Sequence, residues 1–373
     1  MKAELIYQDE TSNKFWKINV TDNKHTVTYG RVGSDGTSKT KEFSDSEAAL
    51  KDATKLMAAK KKKGYVDTST KATIVRDPFT LAGKPIAEFA STFNPATAVK
   101  VTSGYEEKFS VVDKLDKLSN LSNIAEMDTL VIGAWQESWE TNGDAILKKL
   151  IEFKNKFSGL KHLFIADMDM EECEMSWINQ SDYTNFYEHF PALETFGVKG
   201  GQSLIMGEIK LPNLKNLIIE TGGLDKKVVL DIAKSYLPNL EHLEIWLGTE
   251  DYGGTVEVND LQGILKGNYP KLKYLGLKNY DEQDVLAKGL QGATILQNIE
   301  VLDLSMGILK DEGAEALYNN DALLKLKHLN CRHHFISKDW QNKLKTKFSA
   351  QNINLEDEED SEDGEYYFVE IGE

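Results

Sequence analysis

The side chains best suited to chemistry in this 373-residue chain are seven histidines, two cysteines and several groups of carboxylates. His333 and His334 are adjacent, so in an extended segment they point to opposite sides and cannot readily share one metal. His162, His242 and His328 fall in separate copies of the repeat described below, too far apart for common coordination. Cys331 takes an inward repeat position and reads as a buried thiol, not a nucleophile. Asp167, Asp169, Glu171 and Glu172, and again Glu250 and Asp251, follow strand-like segments. Such carboxylates can hold a divalent cation, but solvated turns are the simpler reading. No His-Glu-x-x-His, Cys-x-x-Cys, Gly-x-Ser-x-Gly or phosphate loop occurs. Recognition is therefore the expected chemistry, with no enzyme activity, cofactor or metal called for. An enzyme with an unfamiliar site is the minor alternative.

Charge narrows the partners. The formal net charge is −16, from 44 basic and 60 acidic side chains, which as a total argues against coating nucleic acid. It is unevenly spread. Residues 1–75 hold 14 Lys/Arg against 10 Asp/Glu, whereas residues 356–373 hold 10 Asp/Glu and no basic residue. Two cysteines rule out a disulfide framework and favour a reducing compartment. With neither a membrane-length apolar run nor a visible signal peptide, a cytoplasmic, non-membrane protein is expected.

The elements that must position these residues fall into two regions. In the first, residues 4–7, 14–20, 25–32 and 37–41 are short and rich in β-formers, with Gly33-Ser34-Asp35-Gly36 as a hairpin turn. Ser44 to Glu47 fits a capping box opening a helix with Ala49, Ala53, Leu56 and Met57 on one face; Gly64, after the lysine run 60–63, stops it. Residues 1–72 thus resemble the WGR domain known from poly(ADP-ribose) polymerases and several bacterial proteins. The matching features are Phe15-Trp16, Tyr29-Gly30-Arg31-Val32-Gly33, Gly36, Lys41, Phe43, the helix and the closing Lys60 to Tyr65. Tyr29 stands where the family has its naming Trp. The resemblance implies a small α+β domain, an antiparallel sheet plus one helix. In the polymerases this domain helps grip DNA ends, which implies Tyr29, Arg31, Lys39 and Lys41 as contacts to nucleic acid or another partner. Equally, Tyr29 can fill space between sheet and helix, and the lysine run can be a solvated helix end. Residues 73–100, with Pro78, Gly83, Pro85 and Pro95, read as a linker and extended arm.

The second region, residues 101–373, is a repeat. Leu-x-x-Leu-x-Leu, with apolar swaps, starts at Leu160, Leu193, Leu214, Leu240, Leu272, Ile299 and Leu326. Residues 127–132 fit as an earlier copy and 353–355 as a partial last one. The spacings average about 28 residues, within the leucine-rich-repeat range. Strand alternation sends Leu217/Ile219, Leu243/Ile245, Leu275/Leu277 and Leu302/Leu304 into one stacked interior. Helices lie between strands: Asn259 can cap one bearing Leu261, Ile264 and Leu265, and residues 311–317 form another. The expected fold is α/β, a horseshoe whose parallel sheet lines the concave side. It looks like the helix-bearing repeats of the ribonuclease-inhibitor kind, and residues 130–135, 172–182, 246–254 and 367–373 are similar to an uncharacterised bacterial leucine-rich-repeat family.

Alternation also gives three outward rows. They are His162, Thr195, Asn216, His242, Tyr274, Val301 and His328; then Phe164, Gly197, Ile218, Glu244, Gly276, Asp303 and Asn330; then Ala166, Lys199, Glu220, Trp246, Lys278, Ser305 and Arg332. Glu220, His242, Glu244, Trp246, Tyr274, Lys278 and Asp303 are the candidate contacts for a protein partner on the concave face, with Trp246 as the hot spot. Trp246 shielded by a loop or by the arm is the competing reading. The acidic run 356–365 should remain a loop, while Tyr367, Val369 and Ile371 alternate like a short strand that docks back on the body.

Overall fold

The protein is described from a computed structural model covering residues 2–9, 12–31, 36–61, 66–67, 75–361 and 366–372. It forms two compact units, Met1–Thr73 and Ile74–Glu373.

Five strands build the first unit: β1 (Lys2–Asp9), β2 (Ser12–Thr21), β3 (Lys24–Arg31), β4 (Thr37–Glu42) and β5 (Val66–Asp67), in the antiparallel order β4-β3-β2-β1-β5. Leu5 pairs with Trp16 and Trp16 with Tyr29, so these side chains share one sheet face. Leu5, Trp16 and Ile18 pack on Ala53 of helix α1 (Ser46–Lys61), the core of the unit. The helix starts one residue later than the capping-box reading placed it. Asp45, not Ser44, is the cap: its Oδ1 accepts from Ala48 N at 2.8 Å, and Ser44 Oγ donates to the other Asp45 oxygen. At Gly36 φ is +70°, and a Cβ there would meet the Phe15 ring at 2.5 Å and the Tyr29 carbonyl oxygen at 2.8 Å. The rest of the expected turn, Gly33 to Asp35, and the helix stop at Gly64 lie outside the described residues.

The second unit carries a 13-stranded sheet in chain order, from β6 to β18. Its first strands, β6 (Arg76–Asp77), β7 (Thr80–Leu81) and β8 (Lys84–Glu88), are antiparallel. From β8 onward every neighbour is parallel: β9 (Ala98–Val101), β10 (Thr129–Ile132), β11 (His162–Ile165), β12 (Thr195–Lys199), β13 (Asn216–Glu220), β14 (His242–Gly248), β15 (Tyr274–Tyr280), β16 (Val301–Asp303), β17 (His328–Asn330) and β18 (Asn352–Asn354). Helices α2 (Val111–Ser119), α3 (Asp144–Glu152), α4 (Lys226–Lys234), α5 (Gln262–Leu265), α6 (Gln283–Gly289), α7 (Asp311–Tyr318) and α8 (Lys338–Lys347) are interleaved with these strands, as in a leucine-rich-repeat solenoid. The expected inward pairs, from Leu217/Ile219 to Leu302/Leu304, are fully buried and belong to one continuous core. Helix α5 is a single turn begun at Leu261, because Asn259 offers only its carbonyl, to Gln262 N. Between β11 and β12 no α-helix is present among the described residues; Tyr183, Phe186, Tyr187 and Phe190 fill that space, with Tyr183, Phe186 and Tyr187 packed on Phe196.

The stretch expected as linker and arm is built into this sheet as β6–β9. Val75 and Leu81 pack on Val131, Phe164 and Ile218, whose side chains point away from the main core. At the other end, residues 366–372 lie against the loops that follow the strands. Glu370 N donates to Met306 O, and His333 Nε2 lies 3.0 Å from Phe368 O. Docking is as expected, but no strand forms among the described residues 366–372. Residues 362–365 of the acidic run lie outside the described residues.

Candidate recognition surface

A parallel sheet with unshifted register turns alternation along a strand into rows across strands. His162, Thr195, Asn216, His242, Tyr274, Val301 and His328 are successive partners, as are Phe164, Gly197, Ile218, Glu244, Gly276, Asp303 and Asn330. Lys199 pairs with Glu220, and Trp246 with Lys278. The first two outward rows expected from the sequence therefore exist in full, and the third only as these two pairs; Ala166, expected at its start, is buried in the main core instead.

Three neighbouring strands bring most of the candidate residues into one block. Glu244 on β14 accepts from Trp246 Nε1 at 2.8 Å and from Lys278 Nζ of β15 at 3.0 Å, and its other oxygen lies 3.2 Å from His242 Nε2. Lys278 also sits over the Trp246 ring, 4.9 Å from its centre. His242 stacks on Tyr274 with ring centres 4.0 Å apart and planes 3° from parallel. The Tyr274 hydroxyl donates to Asp303 Oδ2 of β16 at 2.8 Å, and Asn330 Nδ2 of β17 donates to the same oxygen. Burial opposes ionisation of Glu244, but Lys278, His242 and the Trp246 indole outweigh it and hold the carboxyl well below its usual range. Burial also opposes the charge on Lys278, yet Glu244 and Asp303 keep its pKa above the ordinary lysine value. Trp246 and Tyr274 remain half-buried, neither fully open nor covered.

Glu220, expected beside this block, belongs instead to a second ionic cluster under the arm. Arg76 on β6 donates to Glu220 Oε1 at 2.9 Å and to Asp167, and its guanidinium stacks 3.8 Å from the centre of the Phe164 ring. Lys100 reaches the other oxygen of Asp167 at 3.0 Å. Burial raises the Glu220 pKa while Arg76 pulls it down, leaving it above the ordinary value. The arm thus shields Phe164, Ile218 and Glu220 rather than Trp246. Arg76 and Lys100 carried no signal in the sequence beyond their charge, since neither lies in a repeat strand.

Asp167 is held by two cations, and Asp169 and Glu172 cap each other's backbone N–H. Among the described residues no group of three or more His, Cys, Asp or Glu is placed to hold a metal ion. His334 and Cys331 are buried, and burial pushes the Cys331 thiol far up. A cleft of about 390 Å³ opens near Lys226, Glu250, Glu257, Asp281 and Glu282. No described helix is long and apolar enough to cross a membrane.

In the first unit, β4 is exposed along its whole length, presenting Lys39 and Lys41. Arg31 is exposed, as is Tyr29 in part. Lys41 is not simply a solvated cation: Nζ donates to Asp52 Oδ1 at 3.3 Å and lies over the Phe43 ring. Asp52 also lies 2.7 Å from buried His25, and its pKa is lowered chiefly by that hydrogen bond.

Residues 1–72 match the WGR domain model. Two Escherichia coli K12 proteins share this region: the uncharacterised protein YfeS, 55% identical over 65 residues, and the protein YehF, 48% identical over 63. Each match covers 17% of this chain and only 27% or 23% of the relative, so the chain spans about a quarter of either. A crystal structure of a Bacteroides fragilis protein is similar throughout, with 32% identity and a TM-score of 0.69 over 100% of this chain and 99% of that one.

Proposed function

The chain belongs to one family with the Bacteroides fragilis protein it matches along its whole length, and from that premise we propose a non-enzymatic recognition protein that binds a protein partner through the helix-free face of its repeat sheet. We assign the repeats to the bacterial leucine-rich-repeat proteins of the ribonuclease-inhibitor kind; the unbroken parallel ladder and buried leucine stacks support this. One observation carries the functional reading. Trp246, Tyr274, His242, Glu244, Lys278 and Asp303 form a single block on three rigid strands, with rings and charges already fixed by each other. Side chains immobilised before binding lose little entropy on binding, and half-buried aromatics supply contact energy.

Affinity capture from the source cell, with the intact chain and with Trp246→Ala and Tyr274→Ala, tests this. A protein retained by the wild type and lost with both variants, their circular dichroism unchanged, supports the reading; equal retention by the variants sinks it.

A second reading gives the first unit nucleic-acid binding, supported by the exposed, lysine-bearing β4 beside Tyr29 and Arg31 within a WGR domain. Gel shifts of the intact chain across a salt series, with Arg31→Ala as comparison, decide it. Absence of binding at low salt disposes of it.

A further inference from the structure

The loops that follow β9, β10 and β11 lie side by side at one edge of the sheet and expose large apolar side chains. Tyr105 is 64% exposed, Trp139 36%, Met170 69% and Trp177 58%. The Tyr105 and Trp139 rings are 5.8 Å apart. The loops are tied together: Gln136 Nε2 donates to Glu107 O at 2.6 Å, and Asn179 N to Ser138 O at 2.9 Å. Trp135 anchors the middle loop through Nε1 to Thr141 O at 2.9 Å. Exposed aromatics on mutually braced loops are a prepared surface, since their own core packing does not require them to be there.

The charge carried by the loops themselves is one-sided, although Lys199 reaches in from β12 to donate to Met168 O. Residues 103–109, 133–143 and 166–182 contain ten Asp/Glu and one basic residue, Lys108. Among the described ion pairs, only Asp167 and Glu107 of these ten have a cationic partner. Farther along the same edge, the chain itself seats an extended segment. Residues 368–372 cross the loops after β17 and β16 and the end of β15, held at Phe368 O, Glu370 N and the backbone of Ile371. Gly372 reaches Gly222: a Cβ on Gly222 would meet the Gly372 carbonyl oxygen at 2.6 Å and Ser176 Cβ at 3.6 Å. Ser176 adjoins Trp177, so the seated segment leads directly to the exposed aromatics.

We infer that this edge, at Tyr105, Trp139, Met170 and Trp177, docks a lysine- and arginine-rich polypeptide segment. Cationic side chains suit it twice over. Their heads are attracted to aromatic faces and to the surrounding carboxylates, and their aliphatic stems cover apolar surface such as Met170. The surface spans three strands, roughly 10 Å, which fits several residues of extended chain. This is a site separate from the Trp246 block.

Fluorescence anisotropy of the intact chain with a labelled Lys/Arg-rich peptide, and with an Asp/Glu-rich peptide of equal length, tests it. The expected result is saturable binding of the cationic peptide alone, weakened by salt. Trp139→Ala with Trp177→Ala should raise Kd about tenfold or more, equivalent to about 1.4 kcal/mol. Glu137→Lys with Glu171→Lys should do the same without removing a ring, while Tyr236→Ala on another surface should not. Absence of saturable binding would overturn the inference. So would wild-type affinity in both double variants, or a loss produced only by Trp246→Ala, which would move the site to the sheet face.

Discussion

Asn279 grips the backbone of Ile371 with both ends of its side-chain amide. Nδ2 donates to the Ile371 carbonyl at 2.6 Å, and Oδ1 accepts from Ile371 N at 3.1 Å. The grip depends on an unusual backbone, since Asn279 has φ +55° at a buried position. Asparagine tolerates that conformation better than other side chains with a Cβ. Arg332 strengthens the same closure by pairing with both Glu370 and Asp357.

Asn279→Gly keeps the backbone conformation and removes the grip, and Asn279→Ala removes the grip and strains the backbone. Each should lower stability by about 1–2 kcal/mol, the alanine variant more. Limited proteolysis with an enzyme that cuts after glutamate should release the C-terminal segment several-fold faster in both. Wild-type cleavage rates would show that the segment is held by other contacts.

Arg76 neutralises Asp167 and Glu220 beneath the arm, and all three side chains are largely buried. Arg76→Met leaves two buried carboxylates with less compensation, at a cost of about 3–5 kcal/mol in urea unfolding. Adding Asp167→Asn and Glu220→Gln should restore most of the loss, because the unpaired charges, not missing packing, cause it. Failure of that rescue would contradict the assignment.

The body was legible in the sequence because leucines at fixed offsets report both strand alternation and stacking. Register followed, since a slip of one residue would turn His242 and Asp303 into the leucine core and turn Leu243 and Leu302 out of it. The rows also put Glu244, Trp246 and Lys278 among the same candidate contacts, but alternation alone does not show that they bond to one another. Glu220 is covered instead of open because it is held by Arg76, 144 positions away, in a stretch with no periodicity. The turn from Ser44 to Glu47 offered two acceptable caps, and local pattern alone could not choose Asp45. The edge carrying Trp139 and Trp177 lies in loops, where composition is visible but adjacency is not.

Gly36 can be tested alone. Alanine there adopts a left-handed conformation costing about 1–2 kcal/mol and also presses on the Phe15 ring and the Tyr29 carbonyl. Gly36→Ala should therefore destabilise the first unit while leaving the second unchanged. Hydrogen exchange should rise through β2 and β3 and stay at wild-type levels across β13–β16. A change spread over both units would mean that they do not unfold independently.

Glu244 sets a pH dependence whose sign follows from its surroundings. Burial alone would raise its pKa above the ordinary 4.5, but Lys278, His242 and the Trp246 indole more than offset this, and the folded value falls below that of the unfolded chain. Near pH 4.5 the unfolded chain then binds a proton that the folded chain refuses. Ionised Glu244 therefore contributes stability above that pH, and the contribution is lost as pH falls toward the folded pKa. Glu244→Gln removes it and leaves Lys278 buried without its nearest counter-charge, so the variant should be less stable at pH 7 by about 3 kcal/mol. Its acid limb should also be shallower, so that the two melting curves converge as pH is lowered below about 5. Thermal unfolding from neutral to acidic pH measures both, and a constant difference across that range would show that the carboxylate is not the titrating partner of Lys278.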